Sequence, residues 1–302
     1  MWLAASLIAY FFLAIVSLFD RYLLVGPMPS PKAYTFNVGI FGLVFCLILF
    51  FFAGIDFPSV NIIMLGLLIG VIRIIAILFL TISITKSEVS RVVPAIGALQ
   101  PIFSFLLFFL FLPQSRAFSV FQAIAFILLV FGSALISVKK FNKEFFNFRT
   151  LKYPIAASFL YSLTFFLTKY LFIKENDFLI GIFLILFGSG LASLAFIVFP
   201  NSREIILKQK ISGKISGLFL LGQAIGGIAI ILQNYAVFLA GVEQVPLINA
   251  LEGTRYVFLL FFVFLLAGWK PQILKEEVTK EAFLPKVIAV LLIAGGMFFL
   301  IL

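Results

Sequence analysis

The chain has no histidine and a single cysteine, Cys46, among its 302 residues. Without histidine, imidazole acid–base chemistry and His-ligated metal sites are excluded. One thiol excludes disulfides within the chain and Cys-type metal sites. Charge is scarce as well. Only 11% of the residues are Asp, Glu, Lys or Arg, against about 25% in an average soluble domain. So few charges cannot cover a globule of this size, so the apolar surface faces lipid. A soluble enzyme, a disordered tail and a nucleic-acid reader are excluded at this step. Acids are outnumbered, 12 against 22 cations for a net +10. In a membrane chain that excess sets orientation rather than marking a nucleic-acid footprint.

What is present is apolar: 64% hydrophobic residues with 42 phenylalanines and a mean hydropathy of +1.24. The phenylalanines read as the composition of a lipid-facing protein rather than as a binding code. A spanning helix needs about 20 apolar residues, and the runs between breakers predict ten spans, at 3–24, 34–54, 61–84, 89–111, 118–138, 153–173, 178–199, 216–238, 243–266 and 286–302. The separators carry Pro, Gly, Asp and Ser, as at Gly26-Pro27-Met28-Pro29 and Asp56-Phe57-Pro58. The first run lacks a basic leader and is long enough to span, so it is expected to be retained rather than cleaved.

With ten spans the loops alternate sides, and the cations separate seventeen against three. The poor side holds Arg116, Lys169 and Lys174; Arg73 and Arg255 fall inside the membrane. Basic loops stay cytoplasmic, so both termini are expected outside the cytoplasm, in a multi-pass protein of a prokaryotic plasma (inner) membrane.

The chain also repeats itself. Val93-Pro94-Ala95-Ile96-Gly97-Ala98-Leu99-Gln100 in span 4 aligns without gaps, 152 residues on, with Val245-Pro246-Leu247-Ile248-Asn249-Ala250-Leu251-Glu252 in span 9. Arg21-Tyr22-Leu23 ending span 1 matches Lys169-Tyr170-Leu171 ending span 6. Ile124-Ala125 and Gly132 of span 5 match Ile288-Ala289 and Gly296 of span 10. Five spans per half is an odd number, so the halves enter from opposite sides as an inverted repeat. The fold class expected is thus all-α integral membrane, two inverted five-helix repeats around a central cavity. Residues 1–140 form the first repeat, 141–152 a basic cytoplasmic linker, and 153–302 the second.

This layout, the Val-Pro-x-Ile-x-Ala-Leu element of spans 4 and 9, and the basic end of spans 1 and 6 resemble the EamA-like branch of the drug/metabolite transporter superfamily. The likeness covers essentially the whole chain. It implies a transporter whose spans 1, 3, 4, 6, 8 and 9 surround the cavity. One departure stands out: the Gly-Glu pair frequent after the family's fourth helix is missing from Leu112-Pro113-Gln114-Ser115-Arg116 and from Gly268-Trp269-Lys270-Pro271.

The polar residues point the same way on their own. Spans 2, 5, 7 and 10 have no charge in their interiors and read as lipid-facing or supporting elements. The other six carry polar or small residues at steps of three and four, hence on one face each, and lipid cannot satisfy such groups. A mid-membrane charge costs roughly 2.5–3.5 kcal/mol even on the mild insertion scale, so Arg73, Glu252 and Arg255 need compensation. Two readings stay open. Glu252 and Arg255 pair at i, i+3 and Arg73 binds a carbonyl or Gln100; or the three line a site of formal charge +1 that takes a carboxylate or phosphate, which Arg grips bidentately.

The expected substrate-binding residues are Arg73, Gln100, Glu252, Arg255, Asn249, Tyr10, Gln223, Asn234 and Tyr161. Glu252 is the first candidate for proton coupling. Asp20 is the second, read as a surface pair with Arg21. Pro94 and Pro246 each remove a backbone donor and are expected to kink spans 4 and 9. No catalytic residue, metal or cofactor is expected, and an intramembrane enzyme is disfavoured by the missing histidines and by Asp20 being the single aspartate inside a span. The expected function is alternating-access transport of a small anionic or zwitterionic metabolite, amino acid-like or an organic acid, with a proton or counter-substrate as the coupling partner. A lipid-phosphate flippase and a non-transport scaffold are the alternatives.

Overall fold

The computed structural model describes residues 1–53, 57–86, 89–111, 118–137, 148–208, 212–267 and 280–301; within these, the side chains of 52–53, 89–94, 137, 148–150, 263–267 and 280–284 are not described. The basic stretch 138–147, the loops with Arg116, Lys210, Lys270 and Lys275, and the two segments lacking the Gly-Glu pair lie outside the described residues.

All regular structure among the described residues is helical. Lipid offers the backbone no hydrogen-bond partner, so each segment satisfies its own. The helices are α1 (Trp2–Val25), α2 (Pro31–Ala53), α3 (Val60–Lys86), α4 (Val89–Phe111), α5 (Val120–Ser137), α6 (Phe148–Lys174), α7 (Phe178–Val198), α8 (Pro200–Lys208), α9 (Gly213–Leu239), α10 (Val245–Ala250), α11 (Glu252–Ala267) and α12 (Lys280–Ile301). Among the described residues seven helical stretches are long and apolar enough to cross a membrane, and three shorter ones are apolar. The chain is a multi-pass, all-α membrane protein.

Local chemistry marks several starts. Asp177 caps α7 by accepting from the Leu179 and Ile180 amides at 2.7 and 3.1 Å. Ser119 and Gln122 satisfy each other's backbone amides before α5, at 3.2 and 3.0 Å. Three elements differ from the sequence reading. The 200–215 segment, expected as a loop, contains α8, a short amphipathic helix of nine residues that Pro200 opens. Helix α6 starts at Phe148, inside the expected linker, because hydropathy registers the apolar part of a helix and not its polar first turns.

The third difference is in span 9, expected as one helix. A 3₁₀ turn, Val242–Gln244, leads into α10, and the chain breaks at Leu251 before α11. Pro246 sits in the first turn of α10, where its missing N–H has no helical partner to lose. It therefore starts a helix rather than kinking one; the break falls five residues later. Pro94 lies within α4, but its side chain is outside the described residues, so the paired kink has no counterpart to compare.

The helices pack in crossed pairs: α1 along α9, α3 along α6, α2 along α7 and α5 along α12, with α4 against α6 and α1 against α11. Small residues set the closest approaches. A Cβ on Gly70 would lie 2.4 Å from the Ser189 nitrogen of α7, backbone that no rotamer change can clear. Gly132 of α5 faces the Ala289 carbonyl, and Gly296 of α12 faces the Ala125 carbonyl, at 3.0 and 3.1 Å from the position a Cβ would take. Helix α7, expected on the outside, has 56% of its apolar window buried, against 33% for α1. Gly188 and Ser189 let α3 close over it at Leu67 and Gly70, Gly190 and Ser193 let α2 do so at Leu43 and Gly39, and Gly181 makes room for Phe172 of α6.

Candidate functional site

A cavity of about 180 Å³ opens between the helices, room for roughly six waters at ~30 Å³ each. Its wall draws on α1, α3, α4, α6, α9 and α11, the helices expected around a centre. Two supporting helices also reach it: α2 through Tyr34 and Val38, and α7 through Ile185. Their side chains enter because α2 and α7 pack directly on α3.

Arg73, Gln100, Tyr161, Gln223, Asn234, Glu252 and Arg255 all line this cavity. Tyr10 and Asn249, expected with them, do not. Both are fully buried between helices. The Tyr10 hydroxyl donates to the Ile248 carbonyl at 2.7 Å. Asn249 accepts from the Gln100 amide at 3.0 Å and donates to the Ser104 hydroxyl at 2.8 Å, locking α10 onto α4. Polar side chains on one helical stripe can face either a wet cavity or a neighbouring helix, and periodicity does not separate the two.

The charges divide into one compensated pair and two others. Glu252 and Arg255 form an ion pair of 3.1 Å, with their side chains 8% and 12% exposed. Arg255 also donates from Nε and Nη2 to the Ser17 hydroxyl, at 3.0 and 2.8 Å. The i, i+3 pairing, one of the two readings the spacing left open, is therefore present. The break at Leu251 puts Glu252 in the first turn of α11, where the helix dipole favours a negative charge.

Arg73 binds neither Gln100 nor a carbonyl. Its single hydrogen bond runs from Nη1 to the Ser189 hydroxyl at 3.3 Å, and among the described residues it has no carboxylate partner. Asp20 is not the surface group the sequence suggested. It lines the cavity and accepts a hydrogen bond from the Tyr34 hydroxyl, which also accepts from the Gln223 amide at 3.5 Å. With Asp20 in the wall, the formal charge around the cavity is zero rather than +1. The miss has a physical origin: Asp20 stands directly before Arg21, near the end of α1, where hydropathy places a membrane boundary.

Lys169 was also assigned to a boundary, and the structure buries it to 6% exposure. Its ammonium reaches the end of α9, donating to the carbonyls of Val237 (3.2 Å), Phe238 (3.3 Å) and Ala240. These belong to the four carbonyls a helix end leaves without partners, at the negative pole of its dipole. Phe172, Phe178 and Phe238 pack edge-on or tilted around this end of the bundle, with centroids 5.3–5.9 Å apart. Among the described residues no cluster of His, Cys, Asp or Glu is arranged to hold a metal ion.

No protein-family model matches the chain, and no curated protein matches it in sequence. Solved structures do. One, described only as the crystal structure of a protein, superposes with a TM-score of 0.65 at 15% identity, covering 98% of this chain and 97% of that one. At that identity the likeness concerns the fold alone.

Proposed function

We propose that the chain is a secondary transporter of the EamA-like kind, moving a small anionic or zwitterionic metabolite by alternating access. Arg73 carries this reading. It is a guanidinium at the middle of α3, on the wall of a small cavity, held among the described residues by one hydroxyl and no carboxylate. Its remaining donors are free to grip a carboxylate or phosphate, the geometry for which a guanidinium is suited. Asp20 supplies the opposite sign elsewhere on the same wall. A balanced cavity favours a zwitterion over a simple anion, because both ends of the solute are then matched.

Ten spans in two inverted halves are part of this proposal, with α10 and α11 counted as one interrupted span. Packing supports the repeat: exchanging the halves turns the α1–α9 pair into α6–α3, and the α4–α6 pair into α11–α1, all of which occur. Hydrogen bonds support it too. Tyr10 donates to the Ile248 carbonyl, and Ser158, 148 residues on from Tyr10, donates to the carbonyl of Ile96, 152 residues before Ile248, at 3.4 Å. A helix interrupted beside a central cavity is a recurrent device of repeat-built transporters.

The test is flux into proteoliposomes for amino acids, organic acids, nucleotide sugars and phosphorylated lipids. Arg73→Ala should lower transport of the accepted solute at least about tenfold, the equivalent of one charge-assisted contact. Arg73→Lys should recover part of it, since an ammonium keeps the charge but not the fork. Unchanged flux in Arg73→Ala removes the site; flux of phosphorylated lipids alone moves the assignment to a lipid carrier.

A further inference from the structure

We infer that Asp20, and not Glu252, is the carboxylate through which the cavity exchanges protons and couples them to transport. The inference rests on the transporter reading above and assigns its coupling residue.

Two acids line the cavity, and their surroundings differ in kind. Glu252 is ion-paired to Arg255 at 3.1 Å, and Tyr256 also hydrogen-bonds to it. Protonating Glu252 would abandon a buried guanidinium, and breaking such a pair from one side costs about 3–5 kcal/mol. Among the described residues no cation is ion-paired to Asp20, and the Arg255 charge that acts on it belongs to the Glu252 pair. The hydrogen-bond donor to Asp20 is the neutral Tyr34 hydroxyl on α2, backed by the Gln223 amide on α9. Neutral donors hold a carboxylate without forming an ion pair, so Asp20 can take up and release a proton while every other bond in the wall stays made.

The groups facing Asp20 bear this out. From α11 comes Arg255, already committed to Glu252 and to Ser17, which lies one turn before Asp20 on α1. Arg73 on α3 and Tyr161 on α6 occupy other parts of the same wall. Arg73 is bonded to Ser189. Arg21 follows Asp20 in the chain and has interactions of its own.

The position suits the task. Asp20, Tyr34 and Gln223 belong to three helices, two in the first half of the chain and one in the second. Movement of α9 relative to α2 would carry the Gln223 amide away from Tyr34 and change the solvation of the carboxyl. Proton occupancy and the arrangement of the halves are thereby linked through one hydrogen-bonded chain.

Dicyclohexylcarbodiimide tests the assignment without a known substrate, because it adds to protonated carboxyls in apolar surroundings. The carboxyl O–H adds across one C=N bond, and the product rearranges to a stable N-acylurea with nothing lost. The full chain in phosphatidylcholine vesicles, labelled at pH 5 and pH 8 and mapped by peptide mass, should carry the adduct on Asp20, several-fold more at the lower pH. Glu252→Gln should leave that labelling in place, and Asp20→Asn should remove it. An adduct on Glu252 instead, or equal labelling of Asp20 at both pH values, overturns the inference; wild-type protein decides this, so a variant that fails to fold does not.

A second measurement separates this inference from the reading beneath it. Uptake of a radiolabelled α-amino acid mixture should respond to an imposed pH gradient in the wild type. In Asp20→Asn, which also removes the acid that offsets Arg73 on the wall, exchange at equal pH should weaken, and what remains should no longer respond to the gradient. Exchange in the wild type that ignores the gradient, or a gradient response retained by Asp20→Asn, overturns Asp20 as the coupling residue and leaves transport standing. Absence of flux for every class of solute overturns both.

Discussion

The Tyr10 hydroxyl donates to the Ile248 carbonyl at 2.7 Å, across 238 residues of chain. Ile248 lies in α10, three residues before the break at Leu251, where carbonyls lose their helical partners. Tyr10 thus fastens α1 to the interrupted span. Tyr10→Phe keeps the ring and leaves that carbonyl unpaired in an apolar setting, so the unfolding free energy should fall by about 1–3 kcal/mol. Thermal unfolding in detergent checks it; an unchanged midpoint would mean the break is held by something else.

The Glu252–Arg255 pair calls for a double-mutant cycle. Glu252→Gln or Arg255→Met alone leaves one charge buried without its partner, at a cost of about 3–5 kcal/mol. The double substitution should recover much of the loss, because neither charge then remains. Additive losses would show that each residue serves a separate role, and would remove the pair as a unit.

Lys169→Met should destabilise the α6–α9 contact. The substitution retains an apolar stem but frees the Val237, Phe238 and Ala240 carbonyls together. A loss of about 2 kcal/mol or more is expected, since each unmet buried acceptor costs about 1–3 kcal/mol and part of the loss is relieved by water. Hydrogen exchange at the last turn of α9 should rise locally. A uniform rise over the whole chain would instead indicate global destabilisation.

Topology is open to direct labelling. Cys46 is buried, so Cys46→Ser gives a background for single cysteines at Ser30 and Asp177, in the α1–α2 and α6–α7 connections. The distribution of cations predicts that a membrane-impermeant maleimide reaches position 30 from the cytoplasmic side and position 177 from the opposite side. Labelling of both from one face would contradict the alternation of spans.

Much of the framework is legible in the sequence because hydropathy is a sum over neighbours, which folding does not alter. The apolar runs around Trp2–Val25, Val60–Lys86 and Gly213–Leu239 are helices to within a few residues. The i, i+3 spacing of Glu252 and Arg255 put their ion pair among the two open readings, since one helical turn brings them together. Helix α7 shows the limit: its interior lacks charge like that of a lipid-facing helix, yet its small residues bury it against α2 and α3.

Lys169, Asp20 and Tyr10 were beyond the sequence for a shared reason. Each satisfies its polar group on a different helix, far away in the chain, and local pattern carries no record of such a partner. The sequence by itself determined that this protein lies in a membrane, that its helices run along these segments and that few charges enter the interior. Scarcity of charge and the length of apolar runs are properties of the chain before it folds. Tertiary structure alone decided which charges are spent on one another and which face the cavity. That depends on helix rotation and pairing: Arg73 on α3 is turned into the cavity, whereas Tyr10 on α1 and Asn249 on α10 are turned into the contacts that hold the helices in place.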